Sequence, residues 1–226
     1  MSVKIHILFN FFEKIGSSGT EAFFKGWKHT ADMVLKNPHF LNTQLHRNLN
    51  EQGMYKYVNY AMFDSDEVPM FRPEFRTDEW KAEMTKYRDT QKVAYPGGYF
   101  EIATFDDKPI APAYPVKDSS LFIISCYEAG VDADLAGFEA AWKDISGASK
   151  LSENAPTQGF TNSGLYKRFT EDGKFSYVVR SEFTTLSENK GWDLVELVRG
   201  IKLPNGVSGD TSLYQVMPEG LLAKSK

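Results

Sequence analysis

The feature that most constrains this chain is that it repeats itself. Phe23-Phe-Lys-Gly-Trp27 returns as Phe138-Glu-Ala-Ala-Trp142, 115 residues later. Phe40-Leu-Asn42 returns as Phe160-Thr-Asn162, Leu45-His-Arg47 as Leu165-Tyr-Lys167, and Tyr57-Val58 as Tyr177-Val178, each 120 residues later. Glu51-Gln-Gly53 and Phe63 return at the same spacing, as Glu171-Asp-Gly173 and Phe183. The step between the two spacings is one short insertion near residues 149–156. Tyr99-Phe-Glu-Ile102 aligns with Leu213-Tyr-Gln-Val216. A collinear series of this kind predicts a duplicated unit, so whatever one half folds into, the other must fold into as well.

Between the copies, Pro109, Pro112 and Pro115 are spaced by three and lack backbone donors, which predicts an extended connector. The chain divides accordingly into a first repeat over 1–106, a linker over 107–118 and a second repeat over 119–226.

Each copy carries the same order of signals. Residues 4–12 form an apolar run with Ile5, Ile7, Phe9 and Phe11 on one parity and His6, Leu8, Asn10 and Phe12 on the other, a strand buried on both faces. Ser18-Gly-Thr-Glu21 has capping-box spacing, and Phe23, Trp27, Ala31 and Val34 follow a helical stripe that Pro38 closes. Strands over 40–48 and 55–63 flank a turn at Asn50–Gly53. A second helix is predicted near 77–88, then a strand over 99–105. The second copy predicts a strand over 120–127 and a helix opened by Asp132 or Asp134 with Leu135, Phe138 and Trp142 as its stripe. Its next two strands, 160–168 and 175–183, surround the hairpin signal Asp172-Gly173. A helix over 189–199 with Trp192, Val195 and Val198 on one face and a strand over 213–217 complete it.

The order is β-α-β-β-α-β, a ferredoxin-like unit. Its sheet has helices on one face only, so the other face needs a cover, and the sheet of the other copy is the obvious one. The predicted fold class is therefore α+β: two fused ferredoxin-like repeats forming an α/β barrel within one chain, a pseudo-dimer.

Composition narrows the function. Twenty-six basic against 30 acidic residues, with no basic block, remove the electrostatic footprint of a nucleic-acid binder. Aromatics reach 14% and point to a dense core or an aromatic-lined pocket. Cys126 is the single cysteine, so no internal disulfide can form, and a lone strand cysteine reads as a small hydrophobe. The apolar start is broken by His6 and Asn10 and ended by Glu13 and Lys14, which does not fit a leader peptide. No run reaches the ~20 apolar residues of a membrane helix. A cytoplasmic protein with neither nucleic-acid nor membrane partners is expected. No two histidines stand four apart, no HExxH occurs, and a metal site is not expected. GxSxG, Walker and GxGxxG motifs are also absent.

The candidate site residues fall in the first repeat. Asn10 is a neutral amide in an apolar strand, able to donate to and accept from a substrate carbonyl, or to be satisfied by local backbone. Asn59 shares parity with Tyr57, Ala61 and Phe63 and can line the same pocket or serve the core. Trp27 and Trp80 lie on the two helices, where aromatics are commonly core but also wall a pocket for a flat ligand. His46, near a strand end, has the near-neutral pKa of a base for a phenol, or is an exposed structural histidine. Their counterparts Ser125, Val179 and Tyr166 are less polar, so the first repeat should hold the more polar cavity.

The run Phe9-Asn-Phe-Phe12, the helix ends Asn37-Pro-His-Phe40 and Thr157-Gln-Gly-Phe160, the strands Leu45-His-Arg-Asn-Leu49 and Tyr57-Val-Asn-Tyr-Ala61, and the strand start Pro96-Gly-Gly-Tyr-Phe-Glu101 resemble the antibiotic biosynthesis monooxygenase (ABM) family of dimeric α/β barrels. The resemblance implies a cofactor-independent monooxygenase acting on an aromatic or quinol-like molecule. Asn10 and His46 would then be its catalytic residues and Trp27, Asn59, Phe63 and Trp80 its substrate contacts. Its alternative is a non-enzymatic, stress-related or hydrophobic-ligand-binding barrel. A related branch degrades haem with an Asn, a Trp and a His. Asn10 matches the first, Phe63 and Phe183 stand where the Trp would be, and no residue matches the His, since His46 is the last histidine in the chain. Haem binding is accordingly the weaker implication, and no cofactor is expected.

Overall fold

The computed structural model of the protein describes residues 5–13, 19–64, 77–87, 95–110, 120–153, 158–170 and 173–223. Among these the strands are β1 (His6–Glu13), β2 (Phe40–Asn48), β3 (Tyr55–Phe63), β4 (Gly97–Thr104), β5 (Leu121–Ala129), β6 (Phe160–Arg168), β7 (Tyr177–Phe183) and β8 (Val207–Ala223). The helices are α1 (Gly19–Val34), α2 (Asp78–Lys86), α3 (Leu135–Ala140), α4 (Trp142–Ile145), α5 (Ala148–Glu153) and α6 (Glu188–Arg199). Ser18 and Asp172, and most of the proline connector, lie outside the described residues.

The strands close into one antiparallel barrel in the order β1-β3-β2-β8-β5-β7-β6-β4. Each half therefore contributes four neighbouring strands, β4-β1-β3-β2 and β8-β5-β7-β6. Covering one sheet with another is only part of the arrangement. The halves are also hydrogen-bonded edge to edge, β2 to β8 and β4 to β6. Closure removes every free edge, which no single half achieves.

Strand alternation sorts the side chains into two environments. One parity fills the barrel: Ile7, Phe9 and Phe11 of β1 meet Val58, Tyr60 and Met62 of β3 and Phe122, Ile124 and Cys126 of β5. Rings from opposite halves interlock there, Phe9 with Tyr166 at 5.3 Å and Phe11 with Phe175 at 4.9 Å, both edge to face. The other parity packs under the helices. Phe23 of α1 stacks on Tyr57 at 4.1 Å, and Phe138 of α3 stacks on Tyr177 at 4.6 Å. Phe40 meets Phe63 as Phe160 meets Phe183.

Three expectations change. The second copy's first helix is broken into α3, α4 and α5, with Asp134 capping α3 by accepting from the Gly137 amide at 2.9 Å. The last strand runs from Val207 to Ala223, well beyond residues 213–217, because it pairs with both β5 and β2. Pro218 and Gly220 sit at the register shift between Gln44 and His46, where Gly220 lies against Leu45 closely enough that a Cβ would come within 2.7 Å of it. The alignment of Tyr99 with Leu213 is off by one. Tyr99 lies opposite Ile7 on β1 and Tyr214 lies opposite Phe122 on β5, so the tyrosines hold corresponding lumen positions. Leu213 faces the other way, pressed against Gly191 of α6. A slip of one residue exchanges the two faces of a strand.

Among the described residues no helix is long and apolar enough to cross a membrane.

Candidate functional site

Asn10 and Asn59 are cross-strand partners between β1 and β3. Both lie on the face that carries α1. The helix reaches this face because Phe23, Gly26, Trp27 and Ala31 recur at helical spacing and are all buried. Asn59 is the fixed member of the pair. Its Oδ1 accepts from Thr43 Oγ1 at 2.7 Å and from the Trp27 indole Nε1 at 3.2 Å. One amide oxygen thus locks the tryptophan of the helix to two strands, as a buried indole N–H requires.

Asn10 is half-buried and makes no side-chain hydrogen bond to another described residue. Its amide keeps two donors and an acceptor for use. Nearby on the same face, Phe12 packs edge-on against Phe23 at 5.1 Å, and Phe24 packs against Trp27 at 5.8 Å. A polar amide beside aromatic rings can hold the oxygen of a flat, largely apolar molecule.

Phe63 is on the same face but belongs to a separate packed cluster with Leu8, Phe40 and Ala61. Trp80 is half-buried on α2 and joins none of the buried clusters among the described residues. Its helix is tied to α1 by His29 Nε2 against Glu83 Oε2 at 3.0 Å. The structure therefore brings together Asn10, Asn59 and Trp27, and leaves Phe63 and Trp80 at the margin.

His46 is placed elsewhere. It is completely buried, not exposed at a strand end, and points into the barrel. Leu45, its neighbour, is the residue opposite Asn59, so the sheet separates His46 from the amide pair. Its Nδ1 lies 3.1 Å from the Val58 carbonyl, which can only accept, so Nδ1 carries the proton. Burial first, and the Arg180 charge second, hold its pKa well below the usual histidine value. A neutral imidazole in the lumen cannot serve as base for a molecule bound at Asn10.

Sequence reasoning missed Thr43, which anchors Asn59, and Arg180. Nothing in the strand marked the second, since Tyr177–Phe183 also carries Ser181 and Glu182 beside Arg180. Cys126 behaves as expected, buried with its thiol pKa pushed up by burial.

The second half builds the same face differently. Val179 stands opposite Ser125 and packs with Trp142 and Phe138. Ser125 Oγ accepts from Thr211 Oγ1 at 2.9 Å. A cavity of about 200 Å3 opens on this side, between β5, β8 and the end of α6, lined by Tyr127, Val198, Arg199, Leu203 and Thr211 among others. It lies in the second half and away from Asn10, whereas the sequence predicts the more polar cavity in the first.

Of the four histidines, His6 shares the strand parity of Asn10 and is buried against Phe100 and Phe169, while the other three are placed elsewhere. His29 is engaged by Glu83, His39 pairs with Asp64, and His46 faces the lumen, so none of these three turns an imidazole toward the Asn10 face. Neither α2 nor α6 carries a histidine. No group of three potential metal ligands occurs among the described residues.

The chain belongs to the family described as a domain of unknown function, DUF7153, which matches residues 40–216. No curated protein matches the sequence. Among solved structures, an anthrone oxidase-like protein aligns at a TM-score of 0.65 and 12% identity, over 99% of this chain and 94% of that one. A candidate monooxygenase of Fusobacterium nucleatum aligns at 0.59 and 9%, over 100% and 97%. A chlorite dismutase variant of Candidatus Nitrospira defluvii aligns at 0.52 and 8%, over 97% and 93%. At these identities the likeness is one of fold, the dimeric α/β barrel.

Proposed function

We propose that the chain is a tandem ABM-like pseudo-dimer whose first half is a cofactor-independent monooxygenase of an aromatic, quinol- or anthrone-like molecule. The observation that carries the reading is the amide pair: Asn59 held rigid by Thr43 and Trp27, and Asn10 beside it with its amide uncommitted. The names of two structural neighbours, anthrone oxidase-like and monooxygenase, agree with it.

In this chemistry the substrate loses a proton from carbon or oxygen, and the resulting electron-rich anion reduces oxygen directly. For a methylene-bearing substrate, oxidation to the ketone consumes one O2 and releases one water. The Asn10 amide N–H would hold the oxygen on which the anion's charge gathers, which favours its formation. The neighbouring rings would exclude water from it. The proton would leave to solvent at the half-exposed side of Asn10.

Oxygen uptake by the purified protein with a panel of anthrones and hydroquinones tests the reading. Uptake that falls strongly in Asn10→Leu supports it. Saturable binding of the same compounds without uptake would instead make the chain a binding protein, and uptake unchanged in Asn10→Leu would remove the site.

A further inference from the structure

The barrel lumen holds a charge that the proposed chemistry does not use. Arg180 on β7 is 2% exposed. Its guanidinium lies between two rings, 4.1 Å from the centroid of Phe122 and 4.8 Å from that of Tyr60. Ring faces against the guanidinium leave its hydrogen bonding to the groups around them. Nη2 donates to Gln44 Oε1 at 2.6 Å, a neutral acceptor, while Nε is buried without a partner among the described residues. Among the described residues no carboxylate forms an ion pair with Arg180.

A guanidinium withdrawn from water without a counter-charge is among the costliest groups to bury. Cation–π contacts and one amide offset part of that cost. A second orphan lies nearby. His46 Nε2, the unprotonated nitrogen, is buried without a donor, and its ring meets the same Phe122 at 4.7 Å. One unmatched donor and one unmatched acceptor therefore flank one ring. Among the glutamates on lumen parity, Glu101 and Glu182 are half-buried and engaged: Glu101 accepts from the Ile110 amide at 3.0 Å and Glu182 from Ser120 at 3.2 Å. Both raise the phenol pKa of Tyr60, whereas Arg180 lowers it; burial dominates and pushes it up to about 12, so Tyr60 offers no negative charge to Arg180 near neutrality.

We infer that the barrel lumen is a binding site for a small oxyanion of the carboxylate class, held at Arg180 Nε between Phe122 and Tyr60, with Gln44 and His46 at its rim. Such an anion accepts from Arg180 Nε and supplies the missing counter-charge. Hydrogencarbonate fits best, because its hydroxyl also donates to His46 Nε2. The site is distinct from the amide pair, which lies on the opposite face of the sheet.

Formate is the probe. Thermal unfolding of the full chain is followed in formate and, at matched ionic strength, in gluconate, a carboxylate too bulky for a closed lumen. The expected result is a rise of the midpoint with formate over gluconate that sets in near the Kd and then grows by a constant step per tenfold concentration, as for any ligand of the native state alone. Arg180→Met should abolish the difference between the two salts. Equal shifts in both salts, or a formate response kept in Arg180→Met, would overturn the site. Should that variant not fold, the wild-type protein decides. The 13C line of labelled formate should broaden on adding protein and sharpen again with excess hydrogencarbonate, and an unbroadened line overturns the inference.

Discussion

The two halves of the barrel share their strand order and their ring contacts, yet they spend one cross-strand pair differently. In the first half Asn10 faces Asn59, and one amide is bound to the helix while the other is left uncommitted. In the second, Ser125 faces Val179; the serine is engaged by Thr211 and the valine is packed under Trp142. The lumen shows the reverse. The second half supplies Arg180 where the first supplies Tyr60, each the second residue after its Val58 or Val178 counterpart. Similar strand arrangements thus place an uncommitted amide outside the sheet in one half and an arginine inside it in the other. Contacts that build the fold are kept in both halves, whereas groups that cost stability occur in one.

The comparison can be broken most forcefully at the stacked rings. Phe23→Ala and Phe138→Ala each delete a buried ring and should each cost about 3–5 kcal/mol in urea unfolding. A gap of more than about 2 kcal/mol between them would show that the two stacks are not equivalent supports.

Exchanging the differing pair sharpens it. Asn59→Val strands the Trp27 indole N–H and should cost about 1–3 kcal/mol, while the Thr43 hydroxyl can still donate to the Tyr60 carbonyl. Val179→Asn, the reverse exchange, should also destabilise by about 1–3 kcal/mol, because the surroundings of Val179 are apolar. A neutral Val179→Asn, judged by the unfolding midpoint, would mean that the second half retains a latent polar site.

The lumen difference should appear as pH dependence. The folded pKa of His46 is depressed, so the stability it contributes is full above the unfolded value near 6.5 and is lost as pH falls below it. Replacement by Phe should shift acid unfolding to lower pH. Tyr60 is raised to about 12, so its contribution is full below the unfolded value near 10 and is lost as pH climbs from there toward 12. Titration of unfolding from pH 9 to 12 should show that loss in the wild type and a weaker one in Tyr60→Phe.

The smallest effect on stability belongs to Asn10. Asn10→Leu should change unfolding by no more than about 0.5 kcal/mol, because no described partner is stranded. Turnover should nevertheless fall by about a hundredfold, the usual penalty for losing a donor to a developing oxyanion. A stability loss above about 1 kcal/mol with unchanged turnover would make Asn10 structural.

Much of this architecture was legible in the residues. The bounds of β2, β3 and β6 were read directly, because unbroken period-two stretches between turn residues have few other options. The stripe Phe23, Trp27 and Ala31 likewise identified the buried face of α1. The breaks between α3, α4 and α5 were not visible, since the apolar stripe continues through them. The full length of β8 was not visible either, since its ends are set by pairing with β5 and β2, the latter across a register shift at Leu45.

For the site, the sequence by itself determined parity: Asn59 shares a face with Tyr57 and Phe63 because side chains alternate along a strand. It also determined the asymmetry of the halves, since Ser125 and Val179 stand where Asn10 and Asn59 do. Only the tertiary structure decided which parity faces the lumen and which the helices, because that depends on register between strands distant in the chain. That is why His46 and Asn59, one pocket in the sequence reading, lie on opposite sides of the sheet. It is also why Arg180 came into view only on folding: a guanidinium in a strand is unremarkable until barrel closure takes away its water.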